Sequence, residues 1–175
     1  MLKKSMDELN RLSKEEYQEV NSQGAILILD NIRSAHNVGS IFRTADGLGV
    51  KEILMCGITS PIDNREVQKT ALGAEISVPS RYFKTTLDAL EEIRESHQII
   101  ALEQTKNSVL LSDFIFEKNK KYAFVLGNEV DGVDESVLEK CHAVIEIPQV
   151  GSKHSFNVAI TNSIVLWEYF KNNML

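Results

Sequence analysis

Beyond residue 20, short unbroken apolar runs alternate with segments whose apolar positions recur every three or four residues. The runs are AILILD (25–30), EILMCG (52–57), QIIALE (98–103), YAFVLG (122–127) and AVIEIP (143–148). They are too short for helices and lack the polar alternation of a half-exposed strand, which predicts strands covered on both faces. Between them NVGSIFRTADGLG from Asn37, REVQKTALG from Arg65, TTLDALEEIRES from Thr85 and DESVLEK from Asp134 carry helical spacing. A last apolar helix is expected from about Ser155 to Asn172. Such alternation predicts an α/β fold, a mostly parallel sheet with helices on both faces. Residues 1–20 differ: Met6, Leu9, Leu12 and Tyr17 give a polar stretch one modest helical face, and Ser13 with Glu16 forms a potential capping box. They are expected to be an N-terminal helical extension to a single domain over residues 21–175.

The composition suits one core: 43% of the 175 residues are apolar. With 19 Lys+Arg against 25 Asp+Glu, the net charge of -6 excludes a broadly basic protein that coats nucleic acid, so any contact with RNA or DNA has to be local. No run reaches the roughly 18 apolar residues of a membrane span, and the first 20 residues contain no signal-type apolar stretch, so a cytoplasmic protein is expected. Cys56 and Cys141 form no CxxC, and His36, His97, His142 and His154 have no metal-ligand spacing; neither a disulfide nor a metal is expected. Charge is uneven along the chain. Residues 31–81 hold six cations, Arg33, Arg43, Lys51, Arg65, Lys69 and Arg81, against five acids, whereas residues 122–175 hold three against seven. A polyanion would be met in the first half, with a solvated mixed surface as the plainer alternative.

Ligands of open parallel sheets collect at the carboxyl ends of the strands, and three of these ends are unusually polar. After the first strand come Asn31, Arg33, His36 and Asn37, then Arg43 four residues beyond Gly39. That spacing puts Gly39 and Arg43 on one helix face, with room expected beside the guanidinium for an anion. An ordinary surface arginine is the alternative. FVLGNEVDGV (124–133) breaks from a strand into a turn with carboxylates between two glycines, which fits either a close ligand or a plain turn. It contains neither GxGxxG nor GK[ST]. In IEIPQVGSKHSFNV (145–158) Ser155 reads as the cap of the last helix, and Asn157 is expected to be a half-buried amide in need of partners.

Taken in order, the three segments resemble the motifs of the SpoU (TrmH) RNA ribose 2'-O-methyltransferases of the SPOUT superfamily. HNVGSIFRTA carries the Asn and the Arg six residues on, as Asn37 and Arg43; LGNEVDG carries Glu129; IPQVGSKHSFNV carries Ser155 and Asn157. Gln149 and Phe156 stand where the family usually has Met and Leu. The resemblance implies S-adenosylmethionine as cofactor, a C-terminal trefoil knot, a homodimer, and an RNA substrate, with tRNA taken ahead of rRNA. It implies a cofactor pocket from Leu126, Gly127, Asn128, Glu129, Ile147, Pro148, Gln149, Gly151, Ser155, Phe156 and Asn157, and a catalytic set of Arg43, Ser155, Asn37, Glu129 and Asn157. The expected RNA footprint is Arg33, His36, Arg43, Arg65, Lys69 and Lys153. A guanidinium is almost never deprotonated, so whether Arg43 accepts the hydroxyl proton or acts by charge stays open. The competing readings are a base-methylating relative, a non-catalytic RNA-binding module on the same fold, and a nucleotide-binding α/β protein unrelated to RNA.

Overall fold

The computed structural model describes residues 3, 12–118 and 120–173. Its strands are β1 (Ile26–Asp30), β2 (Glu52–Cys56), β3 (Ser80–Phe83), β4 (Gln98–Leu102), β5 (Val109–Leu110), β6 (Tyr122–Leu126) and β7 (Ala143–Glu146). They form one sheet in the order β3-β2-β1-β6-β4-β7-β5, parallel at every pairing. The five apolar runs are β1, β2, β4, β6 and β7, which occupy the interior. The two strands without such a run, β3 and β5, are the sheet's edges. An edge strand needs no double-sided apolar cover, and β3 carries Arg81 and Tyr82 exposed.

The unbroken runs are explained by two cores, one on each face. Leu27, Leu29, Ile53, Met55, Phe124 and Leu126 point into one layer, shared with α2 (Ala35–Gly47), α3 (Arg65–Ala71), the short α4 (Ala74–Ser77) and α7 (Val158–Asn173). Their neighbours Ile26, Ile28, Leu54, Ala123 and Val125 point into the other, beneath α5 (Thr86–Ile93) and α6 (Glu135–Leu138). Each large side chain so buried contributes roughly 1.5–3 kcal/mol, which is why both faces of every central strand are apolar. Tyr169 ties α7 to the sheet through edge-on contacts with Phe116 at 5.7 Å and Phe124 at 5.6 Å.

The Ser13–Glu16 capping box forms and starts α1 (Lys14–Val20). Tyr17, only 5% exposed, donates its hydroxyl to the carbonyls of Ala45 (3.1 Å) and Val50 (2.8 Å), fastening α1 to the end of α2. Met6 and Leu9 lie outside the described residues. Among the described residues no helix is long and apolar enough to cross a membrane.

Two features of this topology build the site. Because all pairings are parallel, the loops after β1, β4, β6 and β7 leave the same edge, and β6 stands between β1 and β4. The last helix then crosses to the first motif helix: α7 packs on α2, with Thr44 Oγ1 3.1 Å from Ser163 Oγ.

Candidate active site

At the carboxyl ends of β4, β6 and β7 lies a cavity of about 640 Å³. Leu126, Gly127, Asn128, Glu129, Ile147, Gln149, Ser155, Phe156 and Asn157 all line it. Pro148 and Gly151 belong to the same loop but stand exposed, outside the lining. The end of β4 contributes Glu103, Gln104 and Thr105, which the sequence reading passed over, and the first turns of α7 contribute Thr161. The strand-end rule applied to QIIALEQT would have found the former, since that run turns polar as abruptly as the other three.

A second cavity, of about 470 Å³, opens between α2, α3 and α7 and is lined by Asn37, Ser40, Arg43, Thr44, Lys69, Thr70, Asn157, Ala159, Ile160 and Ser163. Asn157 borders both cavities. Its Nδ2 donates to Asn37 Oδ1 (3.0 Å), and Asn37 Nδ2 donates to Glu129 Oε1 (2.6 Å). Residues 92 and 120 positions from Asn37 thereby meet it in a single hydrogen-bonded chain. Both ends fix the direction of that chain. The carboxylate of Glu129 only accepts, so Asn37 presents its NH2 there and its carbonyl to Asn157. Asn157 in turn turns its Oδ1 to the first amides of α7, accepting from Ala159 N (2.9 Å) and Ile160 N (3.4 Å).

That last contact revises two expectations. Asn157, not Ser155, caps the last helix, which begins at Val158. Asn157 is exposed, not half buried; the partners its amide was expected to need are supplied at the surface by Asn37 and the helix terminus. The exposed Ser155 makes no hydrogen bond to any described residue, and it lines the first cavity, whereas Arg43 lines the second. Gly39 plays a different part from the one its spacing suggested. A Cβ there would lie 1.9 Å from Thr70 Oγ1 and 2.4 Å from the Val67 carbonyl. The missing side chain is therefore filled by α3, and its effect is to bring Lys69 and Thr70 alongside Arg43.

The cations of the first half divide by partner. Arg81 is held by Glu52 at 2.5 Å and Glu92 at 2.6 Å, so its charge is matched. Glu66 sits 3.3 Å from His36 Nε2 and 3.6 Å from Lys69 Nζ. Arg33, Arg43, Arg65 and Lys153 are exposed and form no ion pair with a described residue. Both cysteines are free thiols, and burial pushes each up to about 12, which leaves them inert. Among the described residues no three His, Cys, Asp or Glu side chains gather as a metal site.

Residues 24–167 match the model of the SpoU rRNA Methylase family. A Staphylococcus aureus protein named for the TrmH family of tRNA/rRNA methyltransferases is 29% identical over 154 residues, 88% of this chain and 61% of the relative. The chain thus spans less than two thirds of that protein's length. The 23S rRNA (guanosine-2'-O-)-methyltransferase RlmB of Haemophilus ducreyi is 28% identical over 95% of this chain and 68% of its own. Among solved structures, an AdoMet-bound rRNA methyltransferase from Sinorhizobium meliloti superposes with a TM-score of 0.78 at 26% identity, covering 85% of this chain and 56% of that one.

Proposed function

The chain belongs to the SpoU rRNA methylase family, and on that premise we propose that it transfers a methyl group from S-adenosylmethionine to a ribose 2'-hydroxyl of structured RNA, tRNA or rRNA. One observation carries the reading: the amide chain Asn157–Asn37–Glu129 joins two adjacent cavities of opposite charge. The first is lined by the carboxylates of Glu103, Glu129, Asp131 and Glu146 and by no Lys, Arg or His. Its size lies within the roughly 300–1,000 Å³ usual for small-molecule sites, and its apolar walls, Leu102, Leu126, Ile145, Ile147 and Val165, suit a nucleoside. Its charge suits a sulfonium. The second contains Arg43 and Lys69 among hydroxyls and amides, a lining for a phosphate and a ribose.

When bound, the donor supplies a methyl group already made electrophilic by its sulfonium. The protein has to hold the ribose hydroxyl in line with that methyl and ease the loss of its proton. Arg43 stays cationic, grips an RNA phosphate as a fork and lowers the pKa of the hydroxyl. A proton acceptor must be neutral or anionic, and Glu129 is the carboxylate that the amide chain connects to the second cavity. Asn37 and Asn157 orient Glu129, and Ser155 faces the donor side. Arg33, His36, Arg65 and Lys153, all exposed and outside the lining of either cavity, complete the proposed RNA footprint.

Two further parts belong to this proposal. The C-terminal segment is a trefoil knot, a reading supported by the insertion of β7 between β4 and β5 and by the return of α7 onto α2. The protein is a homodimer, supported by the exposure of Ile160 (51%) and Trp167 (52%) on α7, where Trp167 stacks on Phe170 at 6.1 Å.

The test is transfer of labelled methyl from S-adenosylmethionine to total RNA from cells lacking the gene, followed by nucleoside analysis. Label on a 2'-O-methyl nucleoside is expected, and mapping it identifies the RNA. Label on a base overturns the ribose assignment, and calorimetry showing that folded protein binds no donor overturns the enzyme.

A further inference from the structure

The turn that carries Glu129 is gripped from both sides by carboxylates outside the three motifs. Glu103, just past β4, accepts the backbone N–H of Val133 on Oε2 (3.1 Å) and that of Gln104 on Oε1 (2.7 Å). Asp30, the last residue of β1, accepts the N–H of Asp134 on Oδ2 (3.2 Å). Val133 and Asp134 are consecutive, and they follow β6, which lies between β1 and β4. The strands on either side of β6 therefore each send one carboxylate to one of two neighbouring amides. Asp30 is itself immobilised: it is 2% exposed, and its Oδ1 accepts from Asn31 Nδ2 (2.8 Å) and from the Thr86 hydroxyl.

The turn is shaped to receive this grip. Asn128 and Gly132 exchange backbone hydrogen bonds of 3.1 Å, and Asn128 Oδ1 accepts from Val130 N and Asp131 N at 2.9 Å each, so residues 128–132 close on themselves. Such a closed turn moves as one body, and its attachment decides where Glu129 points. Gly132 has φ +71, and a Cβ there would stand 2.1 Å from Glu103 Oε2, so only glycine lets the carboxylate reach the next amide.

We infer that Glu103 and Asp30 are positioning residues of the methyl-donor site, a two-carboxylate clamp that sets the turn forming one wall of the pocket and aims Glu129 at Asn37. The inference rests on the proposed function for its consequence, but the clamp itself does not depend on it. Charge-assisted bonds to backbone amides are among the strong ones, and an amide side chain cannot replace a carboxylate here. Glu103→Gln would oppose its NH2 to one of two N–H donors, breaking one contact while keeping size.

The experiment measures backbone-amide hydrogen exchange over residues 127–134 in the full chain, together with calorimetric binding of S-adenosylmethionine, for wild type, Glu103→Gln, Gly132→Ala and Asp30→Asn. Glu103→Gln and Gly132→Ala are expected to speed exchange at Val133 and to weaken donor binding, each about tenfold. Affinity for RNA without donor should fall less than affinity for the donor, since the clamp bears on the second cavity only through the Glu129–Asn37 hydrogen bond. A purely structural role would lower the melting temperature and leave the donor affinity of the folded fraction unchanged. Unchanged exchange and affinity in both Glu103→Gln and Gly132→Ala overturn the inference, even if the buried Asp30→Asn fails to fold. A wild type that binds no donor overturns the proposed function instead, and the exchange rates still decide whether the clamp exists.

Discussion

Arg43 differs from most cations of its half of the chain in facing a cavity without an ion-pair partner among the described residues. A side chain uncommitted in the fold contributes little to it, so Arg43→Ala should leave the melting temperature and donor affinity nearly unchanged while methyl transfer falls below about a tenth of wild type, more than ~1.4 kcal/mol in barrier terms. Arg43→Lys should restore little, because a point charge does not replace a bidentate fork. Single-turnover rates with saturating RNA and donor check both. His97 makes the opposite case, a titratable group built into the fold. It is 7% exposed, its Nδ1 lies 2.8 Å from Ser96 Oγ, and burial holds its pKa below the usual 6.5. Below about pH 6.5 the unfolded chain binds a proton that the folded one refuses, so stability is full above that pH and declines as pH falls from it toward the lower folded value. Melting curves between about pH 7.5 and 5.5 should show this decline, and His97→Gln should flatten it.

Helices α2 and α3 meet at a glycine, and that contact sets the width of the second cavity. In Gly39→Ala the new methyl meets the Val67 carbonyl, which is backbone and can yield only if α3 moves as a whole. The expected loss is about 1–3 kcal/mol. Because α3 carries Lys69 and Thr70 into the cavity, affinity for RNA should fall more than affinity for S-adenosylmethionine, as equilibrium titrations of both ligands will show. The elements least legible in the sequence were those with least to bury. β3 and β5 sit at the sheet edges, and α4 is a single turn. By contrast, the capping box of α1 and the caps of α3, α5 and α6 are local chemistry, complete within four residues, and local chemistry is written in the chain directly.

For the molecule as a whole, the separation of charge between two neighbouring cavities is the feature that a homogeneous count conceals. A net charge of -6 is compatible with RNA binding because the second cavity is lined by Arg43 and Lys69 and by no carboxylate, whereas four carboxylates and no cation line the first. The exposed apolar side chains of α7 are the basis of the proposed homodimer. Light scattering at micromolar concentration should give twice the monomer mass, and Trp167→Glu combined with Ile160→Glu should give a monomer, since two buried like charges facing their own copies cannot be accommodated in an isologous contact.

The sequence alone determined the central strands, the helices between them and the three motifs, because apolar periodicity and capping are properties of near neighbours. It placed Asn37, Glu129 and Asn157 under one function without being able to say that they touch. The contact depends on where strands that are distant in the chain lie in the sheet, and only the tertiary structure decided that β6 stands beside β1 and that α7 returns to α2. The same holds for the reason behind Gly39 and for the clamp of Asp30 and Glu103. Each is a close approach between segments at least 28 residues apart, which no local pattern records: Val67 stands 28 positions from Gly39, and Val133 stands 30 from Glu103.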